Sequence, residues 1–146
     1  MGFSVIRTCS VCGSKNRVPA QHLADTGNCG KCKAPLPPQS EPLDVDDQSF
    51  SEITQQVTVP VLTDFWASWC GPCLAAAPEV HQLAKDMAGR ALVLKVNTEE
   101  HPQLASQFGV RSIPNFVVLR NGKVVAQRSG FGGRADMRRW IEQAAA

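Results

Sequence analysis

The chain of 146 residues is 43% hydrophobic and carries a net charge of +2, which suits one ordinary domain with a buried core and a small appendage. No apolar stretch reaches the length of a membrane span, and the first residues lack the features of a secretory signal. These observations exclude a membrane-spanning protein and predict a cytoplasmic one. The charge is uneven, since residues 1–34 hold five Lys/Arg against one acid.

Two cysteine pairs lie near the N-terminus, Cys9-x-x-Cys12 and Cys29-x-x-Cys32, separated by residues 13–28. This spacing predicts a four-cysteine zinc site. We expect one structural zinc ion, since so small a segment cannot bury enough surface to fold alone. Gly13 and Gly30 are predicted to supply positive backbone angles in the turns. The basic residues that would offset the charge of the four thiolates are Lys15, Arg17, Lys31 and Lys33.

Other interpretations of this segment remain open. The pairs could be further redox dithiols, although no helical pattern follows either of them. His22 could replace one ligand. A basic zinc ribbon could also bind nucleic acid, but Phe3 is the only aromatic residue there, so we expect no nucleic-acid partner and favour a role in docking proteins or positioning the rest of the chain.

Four prolines between Ala34 and Pro42 predict a semi-extended spacer. The predicted organisation is therefore a zinc ribbon at residues 1–34, a Pro-rich linker at 35–42, and a larger domain at 43–146.

The larger domain alternates strands and helices. The first predicted elements are a strand at 43–45, a helix at 48–57 capped by Asp46 or Asp47, and a buried strand at 61–66. A helix at 70–87, kinked at Pro78 and ended by Gly89, is followed by a strand at 91–96 and by a short helix that a Thr98 cap begins and that runs through Phe108 to a stop at Gly109. The chain then forms a hairpin of 115–120 and 123–129 around Asn121-Gly122 and a final helix from Arg134 with Met137, Trp140 and Ile141 at core spacing. Five apolar residues of helix 70–87 keep helical spacing: Leu74, Ala77, Leu83, Ala84 and Met87. The pattern predicts an α/β fold with a mixed central sheet covered on both faces.

The motif Trp69-Cys70-Gly71-Pro72-Cys73 stands where the buried strand gives way to a helix. Free N–H groups at a helix start hold a cysteine as thiolate, so Cys70 is the predicted nucleophile. Cys73 can resolve a mixed disulfide formed at Cys70. An inert disulfide or half of a metal site has the same spacing.

Asp64 lies within the apolar strand that precedes this motif. An unpaired buried carboxylate is costly, so either its pKa is raised or it has a polar partner. A salt bridge at the strand end without catalytic effect is the alternative.

The residues Asp64-Phe65-Trp66-Ala67, the Trp-Cys-Gly-Pro-Cys motif and Ile113-Pro114 resemble the thioredoxin family from about Phe50 to the C-terminus. With the added cysteine pairs, the whole chain resembles the zinc-containing second thioredoxins of bacteria. The resemblance implies the thioredoxin fold, a proton-accepting role for Asp64 toward Cys73, and Lys95 facing that acid. It also implies a cis Ile113–Pro114 bond facing the dithiol. The implied apolar docking face comprises Trp69, Gly71, Pro72, Ile113, Pro114 and Gly130, although simple packing would also explain Trp69.

The function expected from this resemblance is reduction of protein disulfides by dithiol–disulfide exchange. The chain has no flavin or nicotinamide motif, so electrons would come from an external thioredoxin reductase, and we expect a monomer. A zinc-dependent holdase with incidental thiols, and a protein switched by oxidative zinc loss, are the alternatives.

Two residues depart from the family: Leu74 replaces a basic residue found in many thioredoxins, and Asn115 replaces a common threonine. Loss of the charge could alter the pKa of Cys70.

Overall fold

The computed structural model describes residues 2–146. The strands are β1 (Ser4–Thr8), β2 (Lys15–Pro19), β3 (Gly27–Asn28), β4 (Pro35–Leu36), β5 (Leu43–Asp44), β6 (Val61–Trp66), β7 (Leu92–Asn97), β8 (Asn115–Arg120) and β9 (Lys123–Ser129). The last five form one sheet in the order β5-β7-β6-β8-β9. Within it, β5, β7 and β6 are parallel, whereas β8 is antiparallel to β6 and β9 is antiparallel to β8. The predicted mixed sheet is confirmed.

Four α-helices accompany the strands: α1 (Asp47–Gln56), α2 (Gly71–Asp86), α3 (Pro102–Gln107) and α4 (Arg134–Ala145). Helices α1 and α3 share one apolar cluster with Val61 and Phe65 of β6. Helices α2 and α4 share a second cluster with Leu62. Because neighbouring strand residues face opposite sides, the two clusters lie on the two faces of the sheet, as predicted. Within residues 2–146, no helix is long and apolar enough to cross a membrane.

Two local predictions for this domain are confirmed. The side chain of Asp46 accepts a hydrogen bond of 2.8 Å from the N–H of Ser49 and caps α1. Asn121 and Gly122 both have positive φ, 54° and 79°, which is the conformation a type I′ hairpin turn requires.

The predicted cap at Thr98 is wrong. Helix α3 begins at Pro102 after His101, and the Thr98 hydroxyl instead donates to the carbonyl oxygen of Trp66. The Asn97 side chain accepts from the N–H groups of Glu99 and Glu100. This turn delays the helix until proline, which needs no N–H partner in a first helical turn.

The N-terminal segment consists of two antiparallel hairpins, β1–β2 and β3–β4. The second hairpin extends into the Pro-rich stretch, because Leu36 is buried in β4. Between the hairpins, Ala20 to His22 form a single 3₁₀ turn that packs against α1.

The hairpins share their packing with the larger domain. Ala20 and Leu23 are buried in the same apolar cluster as Phe50 and Ile53 of α1. The N–H of Phe3 donates to the Glu52 carboxylate. The two parts of the chain therefore share one continuous core through the 3₁₀ turn and α1.

Candidate active site and metal centre

The dithiol lies at the junction between β6 and α2. Cys70 has an extended backbone conformation and is the N-cap of α2, with its Sγ 3.2 Å from the N–H nitrogen of Cys73. The two cysteines form a disulfide, with their Cα atoms 5.2 Å apart. An N-terminal N–H and the helix dipole both favour negative charge on this sulfur. The local geometry therefore suits Cys70 to be a thiolate nucleophile when the pair is reduced.

The loop that leads into β8 contacts the dithiol. Cys70 Sγ lies 3.7 Å from the carbonyl oxygen of Ile113, and the Ile113–Pro114 bond is cis, as the resemblance implied. The N–H of Gly130 donates to the Pro114 carbonyl oxygen over 2.9 Å. These contacts bring Ile113, Pro114 and Gly130 to the same end of the sheet as the cysteines.

The surface around the dithiol is open and largely apolar. The side chain of Trp69 is 68% exposed, whereas Cys70 is only 4% exposed. Gly71 and Pro72 are exposed and Ile113 is half-buried. An extended chain that lies across these residues would meet the sulfur atoms at the centre of an apolar surface.

Leu74 keeps helical spacing but faces solvent. Its side chain is 53% exposed, and the buried side of α2 instead comprises Cys73, Ala76, Val80, Leu83 and Ala84. Helical spacing alone does not fix which side of a helix faces inward. Cys73 is buried, and Leu74, the next residue, lies about 100° further around the helix, toward solvent.

Asp64 and Lys95 lie side by side beneath α2. They are register partners in the parallel pair β6–β7, and strand alternation places Asp64 on the face of Leu62, which packs with α2. Asp64 is 3% exposed and its Oδ1 atom has no hydrogen-bond partner within the described residues. Burial raises the pKa of Asp64 to about 7, and the nearby charge of Lys95 opposes the rise. Lys95 Nζ itself lies 4.6 Å from the Trp66 ring centroid.

The four N-terminal cysteines come together as one cluster. Their Sγ atoms all lie within 4.8 Å of one another, and the pairs Cys9–Cys32 and Cys12–Cys29 are each separated by 3.6 Å. Zinc–sulfur bonds of about 2.3 Å in a tetrahedron place sulfurs about 3.8 Å apart. The four thiols therefore fit a tetrahedral metal ion of this size.

The two cysteine turns repeat the same hydrogen bonds. The N–H of Gly13 donates to the Cys9 carbonyl, and the N–H of Lys33 donates to the Cys29 carbonyl. The residue after each second cysteine has positive φ, 78° at Gly13 and 67° at Lys33. The prediction for Gly30 is thus wrong, since a lysine takes the left-handed position. Backbone N–H groups of Cys32 and Lys31 point at Cys29 Sγ and lower the pKa of that thiol to about 6.

Asn16 is a site residue that sequence reasoning missed. Its Oδ1 accepts from the N–H of Gly30 over 2.9 Å, and its Nδ2 lies 3.6 Å from Cys29 Sγ and 3.3 Å from the Ser14 carbonyl oxygen. One amide therefore joins the first hairpin to the second cysteine turn. Nothing in the spacing of the cysteines indicates this contact. His22 lies outside the cluster and pairs with Asp25 at 2.8 Å.

Two histidines and Asn115 lie outside the dithiol and the cysteine cluster. His81 is exposed. The side chain of His101 is 26% exposed and its Nδ1 lies 3.9 Å from Asp47 Oδ1. Asn115 is buried, and its Oδ1 accepts from Gln127 over 3.0 Å.

The family model described as Thioredoxin matches residues 41–143. This chain belongs to the thioredoxin family. A second model, of a zinc ribbon described as Thioredoxin 2, N-terminal, matches residues 8–34. The chain thus has the thioredoxin fold and is a thiol-disulfide oxidoreductase with disulfide reductase activity, and its four-cysteine cluster is a possible metal site.

Individual thioredoxins are similar over most of the chain. Thioredoxin C-3 of Corynebacterium nephridii is 40% identical, over 95% of this chain and 94% of its own. Thioredoxin of Haemophilus influenzae is 38% identical over 71% of this chain and 97% of its own. Among solved structures, a variant thioredoxin of Halobacterium salinarum is 34% identical with a TM-score of 0.68, covering 74% of this chain and 94% of that one. The longer match to Thioredoxin C-3 includes the N-terminal cysteine segment.

Proposed function

We propose that the protein reduces disulfides in protein substrates at Cys70 and Cys73 and is recharged by an external thioredoxin reductase. The observation that carries this proposal is the position of Cys70 at the N-cap of α2, where its sulfur meets both the Cys73 N–H and the Ile113 carbonyl. The Cys70–Cys73 pair holds two electrons, which one reduction of a substrate disulfide consumes. In this proposal the reductase supplies the next two electrons.

The exchange proceeds in two displacements. Cys70 thiolate attacks one sulfur of the substrate disulfide, which forms a mixed disulfide and releases the other substrate sulfur as a thiolate. Cys73, once deprotonated, attacks Cys70 Sγ, which forms the intramolecular disulfide and releases the second substrate thiolate. Two protons complete the reduced substrate. The reductase then returns two electrons to the Cys70–Cys73 disulfide.

We propose that Asp64 accepts the proton of Cys73. The positive charge of Lys95 would favour the ionised form of Asp64 and so lower its pKa. Support comes from the burial of Asp64 on the α2 face of β6, its unpartnered Oδ1 and its pKa of about 7. A base with a pKa near the working pH is suited to proton transfer.

Docking of the substrate is assigned to the apolar surface that we call the docking face. Its proposed members are Trp69, Gly71, Pro72, Ile113, Pro114 and Gly130. The backbone of Ile113, next to Pro114, can form main-chain hydrogen bonds with an extended segment of the substrate.

The remaining proposals concern the whole chain. One structural zinc ion would be held by Cys9, Cys12, Cys29 and Cys32. The proposed segments are a ribbon at 1–34, a linker at 35–42 and a thioredoxin domain at 43–146, with the first two linker residues, Pro35 and Leu36, pairing with the ribbon as β4. We propose that the protein is a monomer and carries electrons. We place it in the cytoplasm, because four cysteines gathered at one metal site suit a reducing compartment.

Trapping tests the proposed nucleophile. Cys73→Ser should leave substrates joined to Cys70 as mixed disulfides, because the resolving thiol is missing, whereas Cys70→Ser should trap none. Non-reducing electrophoresis of the protein mixed with an oxidised protein substrate measures the adduct. Equal trapping by the two variants would contradict the assignment. A holdase would give a different result. The native protein would not reduce the substrate, and a variant with serine at both Cys70 and Cys73 would still bind unfolded chains.

Asn16 should strengthen zinc binding. Asn16→Leu removes the acceptor for Gly30 and the amide beside Cys29, so zinc affinity should fall by about 10- to 100-fold, as for other residues that orient metal ligands. Competition with a chromophoric chelator measures the affinity. Asn28→Leu, at an exposed position in the same ribbon, is the matched control. Equal affinities in the two variants would argue against the role of Asn16.

A further inference from the structure

Two of the six exposed large apolar side chains within residues 2–146 lie beside the dithiol. The six are Ile6, Val11, Trp69, Leu74, Val124 and Val125. Trp69 and Leu74 directly flank the Cys-Gly-Pro-Cys segment, one on each side in sequence. Leu74 belongs to the outward side of α2, so core packing does not explain why an apolar residue is present there.

The helix geometry directs Leu74 toward the nucleophile. Its N–H donates to the Cys70 carbonyl oxygen over 3.1 Å, which makes Leu74 the residue one turn after Cys70. Long side chains in helices lean back toward the N-terminus and cover the preceding turn. Leu74 therefore covers surface beside Cys70 and Gly71, next to the docking face.

This part of the chain carries no formal charge. From Phe65 to Pro78 there is no Asp, Glu, Lys or Arg, and Glu79 is the first charged residue of α2. An acidic substrate side chain placed against Leu74 would lose water and gain no charged partner from residues 65–78. An apolar side chain placed there would bury surface on both partners.

We propose that Leu74 is a specificity-determining residue that extends the docking face and favours disulfides whose attacked cysteine has an apolar neighbour. The occupant is the side chain adjacent to that cysteine in the substrate. The inference rests on the proposed docking face, and it adds a substrate preference that the dithiol alone does not impose.

Two synthetic disulfide peptides test this preference. They differ only in the residue next to the attacked cysteine, leucine in one and glutamate in the other, and are mixed with the fully reduced protein. The measured quantity is the ratio of the second-order reduction rates, leucine peptide over glutamate peptide. Leu74→Lys should lower this ratio by about tenfold, through loss of apolar contact and gain of attraction for the acid.

Val124→Lys is the matched control, since Val124 is 48% exposed and lies near the hairpin end of β9, away from Gly130. Its ratio should equal that of the native protein. The ratio also separates specificity from reactivity, because a changed pKa of Cys70 would alter both rates equally. An unchanged ratio in Leu74→Lys, with native reduction intact, would overturn the inference alone. Failure of the native protein to reduce either peptide would overturn the proposed function as well.

Discussion

Removal of the proposed zinc ion should unfold the two cysteine turns and the β3–β4 hairpin while the central sheet remains folded. The buried apolar residues around the cysteine cluster are few: Cys9, Cys29 and Leu36, with Ala34 partly buried. So small a core cannot offset the entropy of ordering this part of the ribbon. Structural zinc supplies on the order of 10 kcal/mol in comparable small sites, so these turns should lose their structure, whereas Ala20 and Leu23 should stay packed on α1.

Amide hydrogen exchange under reducing conditions measures this outcome. The N–H groups of Cys9 and Cys29, which donate to Ser14 and Ala34 over 2.8 Å each, should lose protection when a chelator removes the metal. Amides of β6 should keep theirs. A variant with serine at both Cys70 and Cys73 is the control and should respond identically. Persistent protection at Cys9 and Cys29 in metal-free protein would refute the structural role.

Asp64→Asn should stabilise the protein, and more so at higher pH. Burial raises the pKa of Asp64 from 3.8 to about 7, so the folded state keeps a proton that the unfolded state releases between these values. The native protein therefore loses stability by about 1.4 kcal/mol per pH unit from about pH 4 to pH 7, and the loss is complete above pH 7. The asparagine variant does not titrate at this position. Its advantage should be near zero at pH 4 and about 4 kcal/mol at pH 8.

Urea unfolding of the oxidised proteins at pH 5 and pH 8 measures the difference between variant and native chain. Any loss of metal at low pH affects both chains and cancels in that difference. Glu41→Gln, at an exposed acid, controls for the removal of one negative charge. A stabilisation of the same size at both pH values would show that Asp64 does not titrate between them. Slower disulfide reduction by Asp64→Asn would separately support its proposed proton transfer from Cys73.

The sequence was sufficient to predict a mixed sheet and the order of strands and helices along the chain, because apolar runs and turn residues act locally. Val61 to Trp66 forms a strand with the predicted bounds, and Asn121-Gly122 forms the predicted turn. The grouping of four cysteines also followed from spacing, since two-residue separations suit a metal-binding turn.

The sequence was insufficient where distant contacts decide the outcome. It did not show that Cys73 faces inward and Leu74 outward, and the Thr98 hydroxyl donates to Trp66 in a different segment instead of capping a helix. The contact of Asn16 with Cys29 joins two hairpins and has no periodicity that could reveal it. The burial of Ala20 and Leu23 against α1 was equally hidden, because a short apolar turn does not indicate its partner.

That last contact limits how freely the two modules can be exchanged between proteins. Leu23 is fully buried, and the main-chain N–H of Gln39 donates to its carbonyl oxygen over 2.9 Å. A metal-binding ribbon transplanted onto another thioredoxin would be attached only by its linker unless the first helix of the recipient offered a matching apolar surface. Conversely, removal of the ribbon from this protein would expose apolar surface on α1 and favour aggregation.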